Sequence, residues 1–473
     1  MRFNLHFPLG YGTAKRSVPQ KPLPQEFKFS VGSRGWASWP PLKSLLQILQ
    51  LFRFNKLWPR SAIGLFSLTL LISLFLSLQG LGTPAAQKPR ILAFTALQMR
   101  GSEARNNLFA VNATSWTRRE LAPNIDVSPT LVWSPNGQRL AFVSGDTDIY
   151  TVNADGSRLT KQFAGDACKA ANFEMAWFSN SQKLLFARSC DGFTSDTPGS
   201  QSLYTSDTSG IKGTKLVRNL EVGGQPPKTE ISSEFYLSPS GKQVGFVKDE
   251  NIYKMNADGS AMTKLTKSAG EYISGGSQLV WSPDGTKIAF LFGAYPKQQI
   301  YTINADGSNL KNLTNNPQNE VYNVNMFWSP DSSHIAYYYN KPGDSSGEHQ
   351  DIYLLDINRG TAKNLTQKPR NYGELSWSPD GKLIAFVVGE FNNQKLYTIN
   401  ADGNQLNQLA PRLEPSGISE LAWSSDSQDI AFIYNEIQGD KSNLYVINRD
   451  GSGLSKLTND KDLNASTPVW QPQ

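Results

Sequence analysis

The sequence predicts an all-β fold: a β-propeller of eight four-stranded blades over residues 91–473. Three observations predict it. A unit W-S-P-D-G-x-x-I-A-F, followed by I-Y-x-x-N-A-D-G-S, recurs along the chain, its first position falling at Trp133, Trp177, Leu237, Trp281, Trp328, Trp377 and Trp423, with a final Trp470. The mean spacing, about 48 residues, is the length of one propeller blade. The propeller segment begins in mid-unit, at "ILAF" (91–94), and ends on "TPVWQPQ" (467–473), so its two ends supply complementary parts of one blade.

Each half-unit reads as a hairpin. Apolar β-branched and aromatic runs flank S-P-D-G in one half and N-A-D-G in the other. Proline presets φ at the turn, Asp bonds the local backbone, and Gly takes the left-handed conformation. Two hairpins make a four-stranded sheet with two apolar faces, which only stacked neighbours can bury. A composition of 38 Gly, 27 Pro and 11% aromatics suits many short strands joined by turns. Seven whole blades plus one shared between the two ends make eight. The repeated tryptophans are read as packing between blades, not as a ligand-stacking set.

S-P-D-G and N-A-D-G join strands one to two and three to four, so both lie on one face. The connections on the other face vary in length and sequence, and variable loops on a rigid scaffold are where recognition sits. Asp191, Tyr295, Asp344, His349, Tyr372 and Phe391 are the binding-face candidates. Cys168 and Cys190 flank one hairpin at its loop-facing end, where a disulfide is expected.

The charge is unevenly spread. Residues 1–90 carry twelve Lys/Arg against Glu26 alone, so the rest of a chain of net charge +6 is acidic. This excludes the basic stripe of a nucleic-acid binder. Residues 1–60 read as a basic cytoplasmic tail, with an amphipathic helix over 42–58. Residues 61–82 contain "AIGLFSLTLLISLFLSLQ" (62–79), long enough to cross a bilayer. With the basic flank before it, the segment is expected to be a single-pass signal anchor with the propeller outside the cytoplasm, in the periplasm or beyond. Cleavage near "GLGTPAAQ" would instead release it. Residues 83–90 are the linker.

The residues "WSPDG…IAF…IY…NADG" resemble the TolB-type repeat of bacterial envelope propellers, found also in the propellers of prolyl-oligopeptidase-like enzymes. The resemblance covers 91–473 and implies the fold. TolB itself has six blades behind an α/β domain, whereas eight are expected here with no α/β pattern ahead of them.

Catalytic chemistry is sparse in the sequence. There are three histidines, His6, His334 and His349, and no Ser-His-Asp relay is read from them. N-A-D-G-S lacks the spaced oxygens and late Glu of a calcium loop. The chain is therefore expected to be a non-enzyme without cofactor or metal, a membrane-tethered scaffold whose variable loop face binds a protein or cell-wall polymer. Two alternatives stand: an enzyme processing a polysaccharide or peptide at the propeller channel, and a sensor signalling through the tail.

Overall fold

Runs such as Lys287–Phe292 and Gln299–Asn304 are buried along most of their length, on both faces of the sheet, and pair as antiparallel strands. The computed structural model describes residues 90–472 apart from 101–102, 146–147, 165–173, 190–200, 208–213, 219–230, 249–250, 267–278, 294–297, 315–324, 341–349, 368–371, 391, 415, 437–440 and 459–462. The expected tail, membrane segment and most of the linker lie outside the described residues. Among those described, no helix is long and apolar enough to cross a membrane.

The strands form eight four-stranded sheets, as expected. In chain order the first seven blades occupy 127–163, 174–218, 231–264, 279–312, 326–364, 372–408 and 417–456. The eighth is the shared one: Leu463–Trp470 pairs antiparallel with Ile91–Arg100, from Leu92↔Trp470 to Gln98↔Leu463. The first strands of successive blades touch in a closed circuit, so they surround the axis and the fourth strands form the rim.

Eight apolar clusters fill the fold, one at each junction between neighbouring blades. A pair of features recurs in seven of them. The blade tryptophan donates its indole N–H to the carbonyl that precedes the matching tryptophan or leucine of the blade before. Trp177 thus bonds Val132, Trp281 bonds Tyr236, Trp328 bonds Val280, Trp377 bonds Phe327, Trp423 bonds Ser376, Trp470 bonds Ala422 and Trp133 bonds Val469, all at 2.9–3.1 Å. The same indole packs where the preceding blade offers the small middle residue of its I-A-F run. Ala289 shares a cluster with Trp328, and Ala385 with Trp423. At Gly245 a Cβ would stand 3.1 Å from the Trp281 indole nitrogen.

Within each blade the aromatic of I-A-F faces the aromatic of the third strand, with centroids 5.4–6.0 Å apart in all eight, Phe290 with Tyr301 and Phe432 with Tyr445 among them. The closing Leu-Thr also has a task. Thr266, Thr314, Thr366 and Thr458 accept the third-strand N–H of Ile252, Ile300, Ile352 and Leu444.

The two turns of a blade share one face, since Ala305 N–H donates to Thr286 and Ala401 N–H to Lys382. Gly285 and Gly381 hold φ near +70 at the S-P-D-G turn, but Ser181, Ser332 and Ser427 hold φ of 59, 60 and 61 in their place. Each of these serines accepts the amide N–H of the preceding blade's turn, from Asn136, Asp284 and Asp380 respectively.

Replacing Trp328 by Phe keeps most of the packing and leaves the Val280 carbonyl without its donor; it is expected to lower unfolding free energy by about 1–2 kcal/mol, read from urea denaturation. Acid should weaken the fold as well. The Ser260, Ser308 and Ser452 hydroxyls, then the same residues' amides, hold the Asp258, Asp306 and Asp450 carboxyls below the usual range. A carboxyl whose pKa is depressed on folding stabilises above its unfolded pKa, and that contribution is lost as pH falls through the folded value. Stability is expected to fall as pH drops below about 4. In the triple Asp→Asn variant the fall should be shallower, as read from melts across a pH series.

Candidate functional site

Five of the six loop-face candidates, Asp191, Tyr295, Asp344, His349 and Phe391, lie outside the described residues, as do Cys168 and Cys190. Tyr372 is described, and it is not a surface group. It is 8% exposed, packs beside Leu375 and Ile384, and meets the Phe386 ring edge-on at 5.8 Å. It stands on a first strand, where alternate side chains turn into the blade junction.

The axis itself carries the most organised polar chemistry described. The first strands Tyr372–Trp377 and Gly417–Trp423 each lose register with their neighbour, between Tyr372 and Leu375 and between Ser419 and Ala422. Such a bulge turns backbone amides away from their own sheet. At the second bulge Glu420 sits at φ 58, and the Glu374 carboxylate of the preceding blade accepts both freed amides, Glu420 N–H at 2.6 Å and Leu421 N–H at 2.7 Å. Glu420 repeats the step one blade on, accepting the amide of Thr467, which itself has φ 53. Burial pushes the Glu420 carboxyl above its usual range; the Thr467 amide opposes the shift and the charge of Glu374 adds to it.

Both glutamates stand three residues before a blade tryptophan, in "GELSW" (373–377) and "SELAW" (419–423), a spacing that could have been read in the sequence and was not singled out. Two neighbouring carboxylates on a closed axis place negative charge where a cationic group would be drawn in, and Glu420 can hold a proton nearer neutrality than an exposed glutamate.

A second concavity lies on the tight-turn face, between the shared blade and the first. It has a volume of about 450 Å³ and is lined by Asn136, Arg139, Asn153, Asp155, Arg158 and Gln471. Its aspartate is committed to the Ser157 hydroxyl and amide, which lower its pKa.

His334, Ser333 and Asp331 lie together, yet they are not a nucleophile relay. The Ser333 hydroxyl sits 2.7 Å from both Asp331 oxygens and 2.6 Å from His334 Nδ1, so the carboxylate holds the serine and does not orient the imidazole. The N-A-D-G aspartates likewise serve their own turns. Among the described residues no group of three or more His, Cys, Asp or Glu could hold a metal.

The fold defines the class: an eight-bladed β-propeller of four-stranded sheets. No protein-family model matches the chain. Among curated proteins it is similar to the uncharacterized peptidase YuxL of Bacillus subtilis, 24% identical over 174 residues, which cover 35% of this chain and 23% of that one. It is also similar to dipeptidyl-peptidase 5 of Porphyromonas gingivalis, 23% identical over 315 residues, covering 64% of this chain and 43% of the relative. The chain thus spans less than half the length of either. Among solved structures, Porphyromonas gingivalis dipeptidyl peptidase 4 aligns over 70% of this chain and 53% of its own, with 15% identity and a TM-score of 0.51, which shows a shared fold. The expectation of a non-enzyme is corrected by these findings, because both curated relatives are peptidases. The sequence also holds one G-x-S-x-G, "GDSSG" at 343–347, which that expectation overlooked and which lies outside the described residues.

Removing the Glu374 carboxylate as Ala strands two amides at the axis and is expected to cost about 1–2 kcal/mol in urea denaturation. Glu420→Gln tests the opposite sign. A carboxyl whose pKa rises on folding favours the fold below its unfolded pKa, and that benefit is lost as pH rises through the folded value. Glutamine keeps an acceptor for Thr467, so this variant should gain stability relative to the parent as pH rises from about 4 to about 8.

Proposed function

We propose that the chain is a peptide-processing propeller, handling peptide substrates at its axis. The observation that carries this reading is the similarity to dipeptidyl-peptidase 5 across 315 residues, nearly two thirds of this chain. The axial carboxylates Glu374 and Glu420 support it, since they attract a chain bearing protonated amines. The test incubates the full chain with a mixed peptide library, following cleavage by mass spectrometry and capture by fluorescence anisotropy. Peptides should be cut or retained, amine-bearing ones preferentially, and Glu374→Gln should weaken that preference. A library neither cut nor retained overturns the reading.

We also propose that residues 61–82 anchor the chain in a membrane and that the propeller works on the side away from the basic tail. The support is the uncharged apolar run at 62–79 with Arg53, Lys56 and Arg60 ahead of it. Protease added to spheroplasts should digest the loops of the propeller, while a propeller protected until the cytoplasmic membrane is broken contradicts the orientation.

A further inference from the structure

The junction between the second and third blades differs from the other seven. At each of those the indole N–H of one blade bonds the carbonyl of the blade before it. At this one the tryptophan position is Leu237, which has no donor to offer. The neighbouring blade has changed to match. Where the others present Ala93, Ala141, Gly245, Ala289, Ala336, Ala385 or Ala431 under the indole, the second blade presents Leu185, 4% exposed and in the same cluster as Leu237. A Trp-on-Ala contact has become Leu-on-Leu, so volume is conserved and the hydrogen bond is lost.

The second latch is missing at the same place. In three blades a left-handed serine at the turn accepts an amide from the blade before: Ser181, Ser332 and Ser427. The third blade has Gly241 there, with no hydroxyl. A Cβ at Gly241 would stand 2.7 Å from the Ser179 nitrogen and 2.9 Å from Phe178 Cα, so the two turns rest backbone to backbone. They are in contact without that bond. Gly137, Gly285 and Gly381 also lack the hydroxyl, but the indole bond is present at each of their junctions, through Trp133, Trp281 and Trp377. Only at the second-to-third junction are both latches ruled out by the residues themselves.

The contrast with the ends of the chain is informative. A ring made from a linear chain is naturally weakest where its ends meet. Here that region is heavily tied. Trp470 and Trp133 both bond across it, Gln471 reaches the Gly137 carbonyl at 2.6 Å, and Arg90 pairs with Asp426 at 3.0 Å and Asp429 at 2.5 Å while lying over the Trp470 ring. The ends are secured, and an internal junction lacks both of the recurring latches.

We propose that the junction between the second and third blades is the seam at which the closed ring opens, separating Glu174–Trp177 from Ile231–Leu237 and giving lateral access to the axis. Apolar contact resists separation without fixing direction, whereas a hydrogen bond to a neighbouring backbone carbonyl breaks as soon as the blades part. The seam therefore yields first under thermal fluctuation. It is a property of the ring alone and does not depend on which molecule the axis receives.

Hydrogen exchange of the full chain, read by mass spectrometry, tests this. Peptides covering 174–177 and 235–237 should exchange on the order of tenfold faster than the corresponding first strands of the other blades. The double variant Leu185→Ala/Leu237→Trp rebuilds the common latch and should bring the seam to the protection of its neighbours. The converse variant, Ala289→Leu/Trp328→Leu, transplants the seam and should carry fast exchange to the junction between the fourth and fifth blades. Equal protection at all eight junctions of the parent overturns the proposal, as does a folded converse variant in which the new junction stays protected.

Discussion

The constraint on which the rest of the structure depends is the match between a tryptophan on one blade and a small residue on the blade before it. Each indole that reaches the preceding backbone carbonyl shares its junction with an Ala or Gly of that blade, where even a Cβ at Gly245 would stand 3.1 Å from the Trp281 indole nitrogen. This explains why two short signals, W-S-P and I-A-F, travel together through the sequence. They are not two features of one blade but two halves of a contact between neighbours, repeated seven times around the axis. The apolar clusters between blades supply most of the favourable free energy, and the indole bonds set the angle at which each sheet meets the next.

A ring of this kind has no free sheet faces but needs a closing device, because a linear chain leaves two ends. The shared blade is that device. Its innermost strand comes from the end of the propeller segment and its other three from the start, so an antiparallel ladder joins residues nearly four hundred positions apart. The price is loop-closure entropy, met once for the whole ring. Arg90 and Gln471 add polar ties on the tight-turn face, where both ends emerge beside the Asp426 and Gly137 turns.

Much of this was legible in the residues. The number of blades, the sharing of the eighth, the turn chemistry of N-A-D-G and the packing role of the tryptophans all follow from periodicity and from what Pro, Asp and Gly do locally. The partner of the indole was not legible within a single unit, since it lies in the preceding one. The axial carboxylates were half legible: the Glu-x-x-Trp spacing is visible, but the bulges that free the Glu420 and Leu421 amides depend on backbone register, which the pattern does not encode. Tyr372 was misplaced because proximity to a variable loop was taken for exposure, although alternation along a first strand turns it inward. The expectation of a non-enzyme failed for a different reason. It rested on the catalytic motifs, among which the G-x-S-x-G at 343–347 was overlooked, while the similarity to a peptidase extends over 315 residues.

Function enters where the ring departs from its own rule. A closed axis lined by Glu374 and Glu420 is of use to a substrate only if something can reach it, either along the axis or between blades. Seven junctions obey the Trp-on-small rule and one does not, so stability and access are distributed unequally around the same fold. The most direct test of the rule is exchange of the indole protons themselves, followed by nuclear magnetic resonance on the chain labelled with ¹⁵N at tryptophan. Seven indole N–H signals, those of Trp133, Trp177, Trp281, Trp328, Trp377, Trp423 and Trp470, should persist in heavy water long after that of Trp116, which is 42% exposed, has vanished. If those seven exchange as fast as Trp116, the blades are not latched in this way and the account of the ring is wrong.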